Sequence, residues 1–132
     1  MSRLVIGLGF REAATAQSIG EVLASVVART AQPGVATVLA VAEDKATHPG
    51  LLAAATAAHH QIETVASGAM READARVITR SERVLKQRGV GSVCESAALA
   101  VAGRGARLVV TRTISADRQA TAAAAISEDV AS

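Results

Sequence analysis

Among 132 residues there is one phenylalanine and neither tyrosine nor tryptophan, so any core this chain builds must be aliphatic. Half of the residues are nonetheless hydrophobic, chiefly 31 Ala, 16 Val, 9 Leu and 6 Ile. Val, Leu and Ile must therefore supply the bulk, while Ala and Gly let elements approach closely. That balance excludes intrinsic disorder, which requires low hydrophobicity and high net charge. The length suits one domain, read here as residues 1–132, and a chain of this size buries roughly two thirds of its unfolded surface.

No apolar stretch reaches 18 residues, and the opening run Leu4–Leu8 is too short for a secretory signal, so neither a membrane span nor export is expected. A lone Cys94 excludes an internal disulfide and any cysteine-rich zinc site, in keeping with a cytoplasmic protein. The net charge of +2 and the single aromatic residue argue against nucleic-acid binding. The charge is zoned, however. Residues 71–112 hold nine cations and four anions, and the rest of the chain holds five cations and eight anions. Twelve of the 14 cations are Arg, whose planar fork matches carboxylate or phosphate. A solvated helical face or an anionic ligand near this half both fit.

Arg3–Leu8 has the pattern of a strand buried on both faces. Ala16, Ile19, Val22, Val26 and Val27 then recur at helical steps, predicting a helix over 12–30 that Gln32-Pro33-Gly34 stops. Ala36–Ala42 is a second strand, Leu51–His60 a helix opened by an exposed His48, and Ile62–Ala66 a third strand. Short helices are expected within 71–80 and 81–88. Ser92 and Glu95 form a capping-box pattern, each reaching the other's amide, before a helix over 93–102 closed by Gly103. Arg107–Ile114 is a strand. Alanine favours helix in 120–126, but seven residues after a polar turn also suit a return strand. The residues alone leave both open, and the strand is taken from the family resemblance given below. Together these elements define a three-layer α/β/α domain with a mixed, mostly parallel sheet of about five strands and a C-terminal antiparallel hairpin.

Ligands of open α/β sheets gather beyond the carboxyl ends of the strands, where three loops qualify. Gly7-Leu8-Gly9-Phe10-Arg11-Glu12 allows a tight turn and an anion at the following helix, but Glu12 breaks the dinucleotide fingerprint and weakens a nucleotide-binding reading. Glu43-Asp44-Lys45 places a carboxylate beside an ammonium, suited either to acid–base work or to a solvated strand end. Gly91-Ser92-Val93-Cys94-Glu95-Ser96 presents a capped helix start. His59 and His60 lack a third ligand, so no metal is expected. Cys94 reads as a small buried side chain. No nucleophile elbow, Walker loop or zincin motif occurs.

Gly7-Leu8-Gly9-Phe10-Arg11 with Thr15, then Ala42-Glu43-Asp44-Lys45 with Pro49-Gly50-Leu51, then Gly91-Ser92-Val93-Cys94-Glu95-Ser96-Ala97-Ala98-Leu99, closely resemble the CobE / CbiG C-terminal-domain family of cobalamin biosynthesis. The likeness spans roughly Arg3 to Ile126. Two-domain members carry an additional N-terminal domain, so this length implies the stand-alone form of the aerobic pathway. The resemblance implies an α/β fold and work on a corrinoid or precorrin intermediate, with other cobalamin pathway enzymes as possible partners and no cofactor. Carried over, the glycine-rich turn is Gly7, Gly9, Phe10 and Arg11, the middle motif Asp44 and Lys45, and the third motif Ser92, Glu95 and Ser96. Phe10 stands where many two-domain members have Cys, and Cys94 where Ala is common.

Two functions follow as expectations. One is a protein that binds or presents a polycarboxylated corrinoid, with Gly7, Gly9, Phe10, Arg11, Lys45, Ser92 and Ser96 in contact with it. The other is a hydrolase opening the lactone of a precorrin-5A-type intermediate with acetaldehyde release, as two-domain relatives do. There Asp44 or Glu95 would be the base and Arg11 or Lys45 would stabilise negative charge.

Overall fold

The computed structural model describes residues 3–30 and 35–127, without the side chains of Gln87 and Arg88. The expected stop at Gln32-Pro33-Gly34 lies outside the described residues. Strand β1 (Arg3–Phe10) leads to α1 (Ala16–Thr30), β2 (Ala36–Ala42), a 3-10 turn (Glu43–Lys45), α2 (Pro49–Ala58) and β3 (Gln61–Val65). Then follow α3 (Ser67–Ala73), a second 3-10 turn (Asp74–Arg76), α4 (Glu82–Arg88), α5 (Val93–Ala102), β4 (Arg107–Ile114) and β5 (Ala120–Ile126).

The five strands form one sheet in the order β3-β2-β1-β5-β4. β1 pairs parallel with β2, and β2 with β3; β5 is antiparallel to both β1 and β4. Half of the pairings are thus antiparallel, fewer parallel ones than the sequence suggested. The hairpin does not lie wholly at the edge: β5 enters beside β1, and β4 alone forms the border. Alanine explains this. Ala120 and Ala122–Ala125 are buried, so both faces of β5 admit a helix at short range, whereas β4 exposes Arg107, Val109 and Thr111.

Alternation along β1 sends Leu4, Ile6 and Leu8 to one face and Val5, with Gly7, to the other. The first face packs Ile19, Val22, Leu23 and Val26 of α1 and Leu51 and Ala55 of α2. The second packs Ala97, Ala98 and Leu99 of α5 with Met70 and Ala73 of α3. The sandwich is therefore α1 and α2, sheet, α3 and α5.

Helix starts follow local chemistry. α1 begins at 16 rather than 12, because Thr15 Oγ1 accepts the Ser18 N–H (3.1 Å) and fixes the first turn there. His48 is buried rather than exposed: its Nδ1 accepts from the Gly50 and Leu51 amides at 3.1 and 3.4 Å, which caps α2. Its Nε2 lies 2.8 Å from the Glu12 carbonyl, so the neutral ring that accepts at Nδ1 donates there. His59 takes the left-handed conformation (φ 58°) that ends α2. The β4–β5 turn is fastened to α1 through Asp117, which accepts from Ser115 Oγ (2.6 Å), from the Ser18 hydroxyl and from the Gln119 amide. The Ser115 hydroxyl, then Ser18, holds the Asp117 carboxyl below the usual range.

Candidate functional site: a cationic cleft

Because β4 runs with β1, the turn after β4 and the loops after β1 and β2 all open at the same end of the sheet. They border a cleft of about 640 Å³, within the range usual for small-molecule sites. Leu8, Gly9, Phe10, Ala42, Val93, Ile114 and Thr121 give it an apolar floor. Arg11, Lys45, Arg83, Arg112 and Arg118 also line it, against the single acid Glu12.

The loops are knitted to one another. Arg11 donates its amide to the Gln119 carbonyl (3.0 Å), and Thr121 Oγ1 donates to the Gly9 carbonyl (3.2 Å). Lys45 Nζ sits 3.4 Å from Glu12 Oε2, and the Phe10 and His48 rings meet at 4.9 Å. A side chain at Gly9 would place its Cβ 2.8 Å from Thr121 Oγ1 and 3.3 Å from Val93, so only glycine leaves the floor open. All three loops singled out in sequence reach this opening: the first through Gly9, Phe10 and Arg11, the second through Lys45, the third through Val93.

The remaining expected residues stand elsewhere. Gly7 lies beneath α5, where a Cβ would come within 1.9 Å of the Cys94 carbonyl oxygen; it is a packing glycine. Asp44 is exposed on the 3-10 turn beside Lys45 and outside the cleft lining. Ser92 is buried and caps α5 by accepting the Glu95 amide at 3.4 Å. Ser96 is buried, and its Oγ has no hydrogen-bond partner among the described residues.

Glu95 departs most from expectation. The reciprocal half of the capping box does not form. The Glu95 side chain is fully buried, and its Oε1 accepts the Ile78 and Thr79 amides at 2.8 Å while Oε2 accepts the Arg112 amide at 2.8 Å. Three unpaired backbone donors outcompete one nearby amide, and Glu95 is not among the residues that line the cleft. Burial pushes the Cys94 thiol up to about 11, against the opposing hydrogen bonds of Ser92 and Thr121, so it is not a thiolate near neutrality.

Sequence reasoning missed Arg118, Gln119, Thr121, Ser81, Val84 and Ile114. It singled out no role for Arg83 and Arg112, although the cation surplus of residues 71–112 contained both. The polar turn before 120–126 was legible, but nothing in the linear sequence placed it at the opening. Among the described residues, no three His, Cys, Asp or Glu cluster as metal ligands, and no helix is long and apolar enough to cross a membrane.

The domain is thus an α/β sandwich with a cationic, apolar-floored cleft at its strand ends. The family described as cobalamin synthesis G C-terminus matches residues 4–125, and the chain belongs to it. Two solved structures agree. CobE, "a protein from the cobalamin (vitamin B12) biosynthetic pathway", superposes with a TM-score of 0.79 at 28% identity, covering 95% of this chain and 90% of that one. The cobalamin biosynthesis protein chiG from Agrobacterium tumefaciens str. C58 gives 0.71 at 35% identity, covering 96% and 99%. No curated protein sequence matches.

Proposed function

We propose that the protein binds a polycarboxylated corrinoid or precorrin intermediate of the corrin-building pathway in this cleft and presents it to other pathway enzymes. The observation that carries the reading is the pairing of five cations with an apolar floor in one opening. Such an intermediate is a flat apolar macrocycle rimmed by acetate and propionate groups. Leu8, Phe10, Val93 and Ile114 suit its face. Arg11, Lys45, Arg83, Arg112 and Arg118 suit its rim, where each charge-assisted hydrogen bond contributes about 1.5–3 kcal/mol.

Binding is favoured over hydrolysis of the lactone of a precorrin-5A-type intermediate. The Glu95 carboxylate is committed to three amides, the Cys94 thiol is buried and protonated, and Asp44 stands outside the cleft lining. Titration with hydrogenobyrinic acid, followed by visible spectrum and co-elution, is the test. Wild-type protein binds, and Lys45→Gln weakens binding about tenfold. The absence of a spectral shift and of co-elution overturns the reading. Acetaldehyde released by this chain from a lactone-bearing precorrin would replace it with the hydrolytic one.

A further inference from the structure

Glu95 is a buried carboxyl side chain that the binding reading leaves without a task. Among the described residues it makes no ion pair, so only backbone dipoles stabilise it. It occupies the first turn of α5, where the helix dipole also favours an anion. Burying a carboxylate costs several kcal/mol, and a well-packed apolar residue usually serves stability as well. What an apolar residue cannot do is accept three N–H groups at once. A carboxylate is the side chain that offers only acceptors, on two oxygens, with room for all three.

The three donors are informative in themselves. Ile78 and Thr79 belong to the irregular segment between the second 3-10 turn and α4, where neither helix nor sheet satisfies their amides. Arg112 lies within a break of the β4–β5 ladder, where the register shifts between Val110 and Thr113. Such bulges re-aim side chains and leave an amide unpaired. One carboxylate therefore joins two chain segments that share no other bond to it. The first leads directly into Ser81, Arg83 and Val84, and the second carries Arg112 itself; all four border the cleft.

The segment is closed at its other end by Asp74, which accepts from the Gly91 amide (2.7 Å) and from Arg80 (3.0 Å), and by the Ser81 amide on the Gly91 carbonyl (2.8 Å). Residues 77–91 thus form a strap knotted at its base. Its helix α4 exposes Leu85 outward and turns Arg83 and Val84 to the cleft.

We propose that Glu95 is a positioning residue of the cleft: it locks the strap and the β4 bulge into one wall, so that Arg83 and Arg112 face an anionic ligand together. The inference rests on the binding reading above, because it needs an anion in the cleft. By linkage, a polyacid that engages Arg83 and Arg112 must in turn stabilise the three amide bonds of Glu95.

The test is a double-mutant cycle read with hydrogenobyrinic acid. Glu95→Gln replaces one acceptor by an NH2 group that opposes a backbone donor, and weakens binding about tenfold in a protein that still melts cooperatively. Combined with Arg112→Gln it adds little, since both act through one wall; combined with Lys45→Gln, on the opposite side, the losses multiply. Hydrogen exchange on the wild type supplies a measurement that survives a misfolded variant. Bound polyacid slows the Ile78, Thr79 and Arg112 amides as a set. Binding that leaves those three amides unchanged, or an E95Q loss that multiplies with R112Q, overturns this inference alone. Wild-type protein that binds no polyacid overturns the reading of the cleft and this inference with it.

Discussion

The two faces of the sheet solve different problems. Under α1 and α2 the core is bulky: Leu4, Ile6, Leu8, Ile19, Leu39 and Leu51 are all nearly inaccessible. Under α5 it is richer in small residues: Ala40, Ala97, Ala98 and Ala125 sit among Val5, Met70 and Leu99, with Gly7 admitting the helix backbone itself. The bulky face buries area, about 25 cal/mol for each Å². The small-residue face gains less per residue but fixes the position of α5, and with it Val93, Ser92 and Glu95. The lesson is that one face supplies stability while the other supplies placement of the cleft.

Substitutions can break that contrast, beginning with the greatest loss. Gly7→Ala drives a Cβ into backbone that cannot yield and costs about 3 kcal/mol or more, measured by denaturant unfolding. On the bulky face, Ile19→Val removes one methylene and costs about 1 kcal/mol; equal losses at the two sites would erase the proposed division. His48→Ala removes the cap of α2 and the bond to Glu12, costing about 1 kcal/mol and loosening the first loop, visible as faster exchange of the Gly50 and Leu51 amides.

The smallest effect is acid-specific. The Gly91 amide, followed by Arg80, holds the Asp74 carboxyl below its ordinary value. A depressed carboxylate stabilises the fold above its unfolded pKa, and that contribution is lost as pH falls through the folded value. The strap base therefore loosens below about pH 4, and Asp74→Asn removes this part of the acid dependence. A wild-type acid melt superimposable on that of D74N would show that Asp74 does not close the strap.

Much of this was legible in the sequence. Periodicity located the strands, and the order of glycine turn, Glu43-Asp44-Lys45 and Ser92 cap located the three loops of the opening. The helix boundaries moved where a cap decided them, as Thr15 and His48 show. The β5 reading came from the family resemblance and the structure bears it out, since an alanine run carries no periodicity to separate strand from helix. Glu95 shows the deeper reason. A capping box pairs groups three residues apart, whereas the actual donors are 16 to 17 residues away.

The sequence by itself determined an aliphatic α/β domain, its three glycine- and charge-marked loops, and the family. The tertiary structure alone decided which cations share the opening. Arg11, Lys45, Arg83, Arg112 and Arg118 come from five separate segments, brought together because β4 runs with β1 and one buried carboxylate ties the strap to the bulge. Local pattern fixes the near neighbours of a residue along the chain; only strand order and long-range hydrogen bonds fix which distant charges meet.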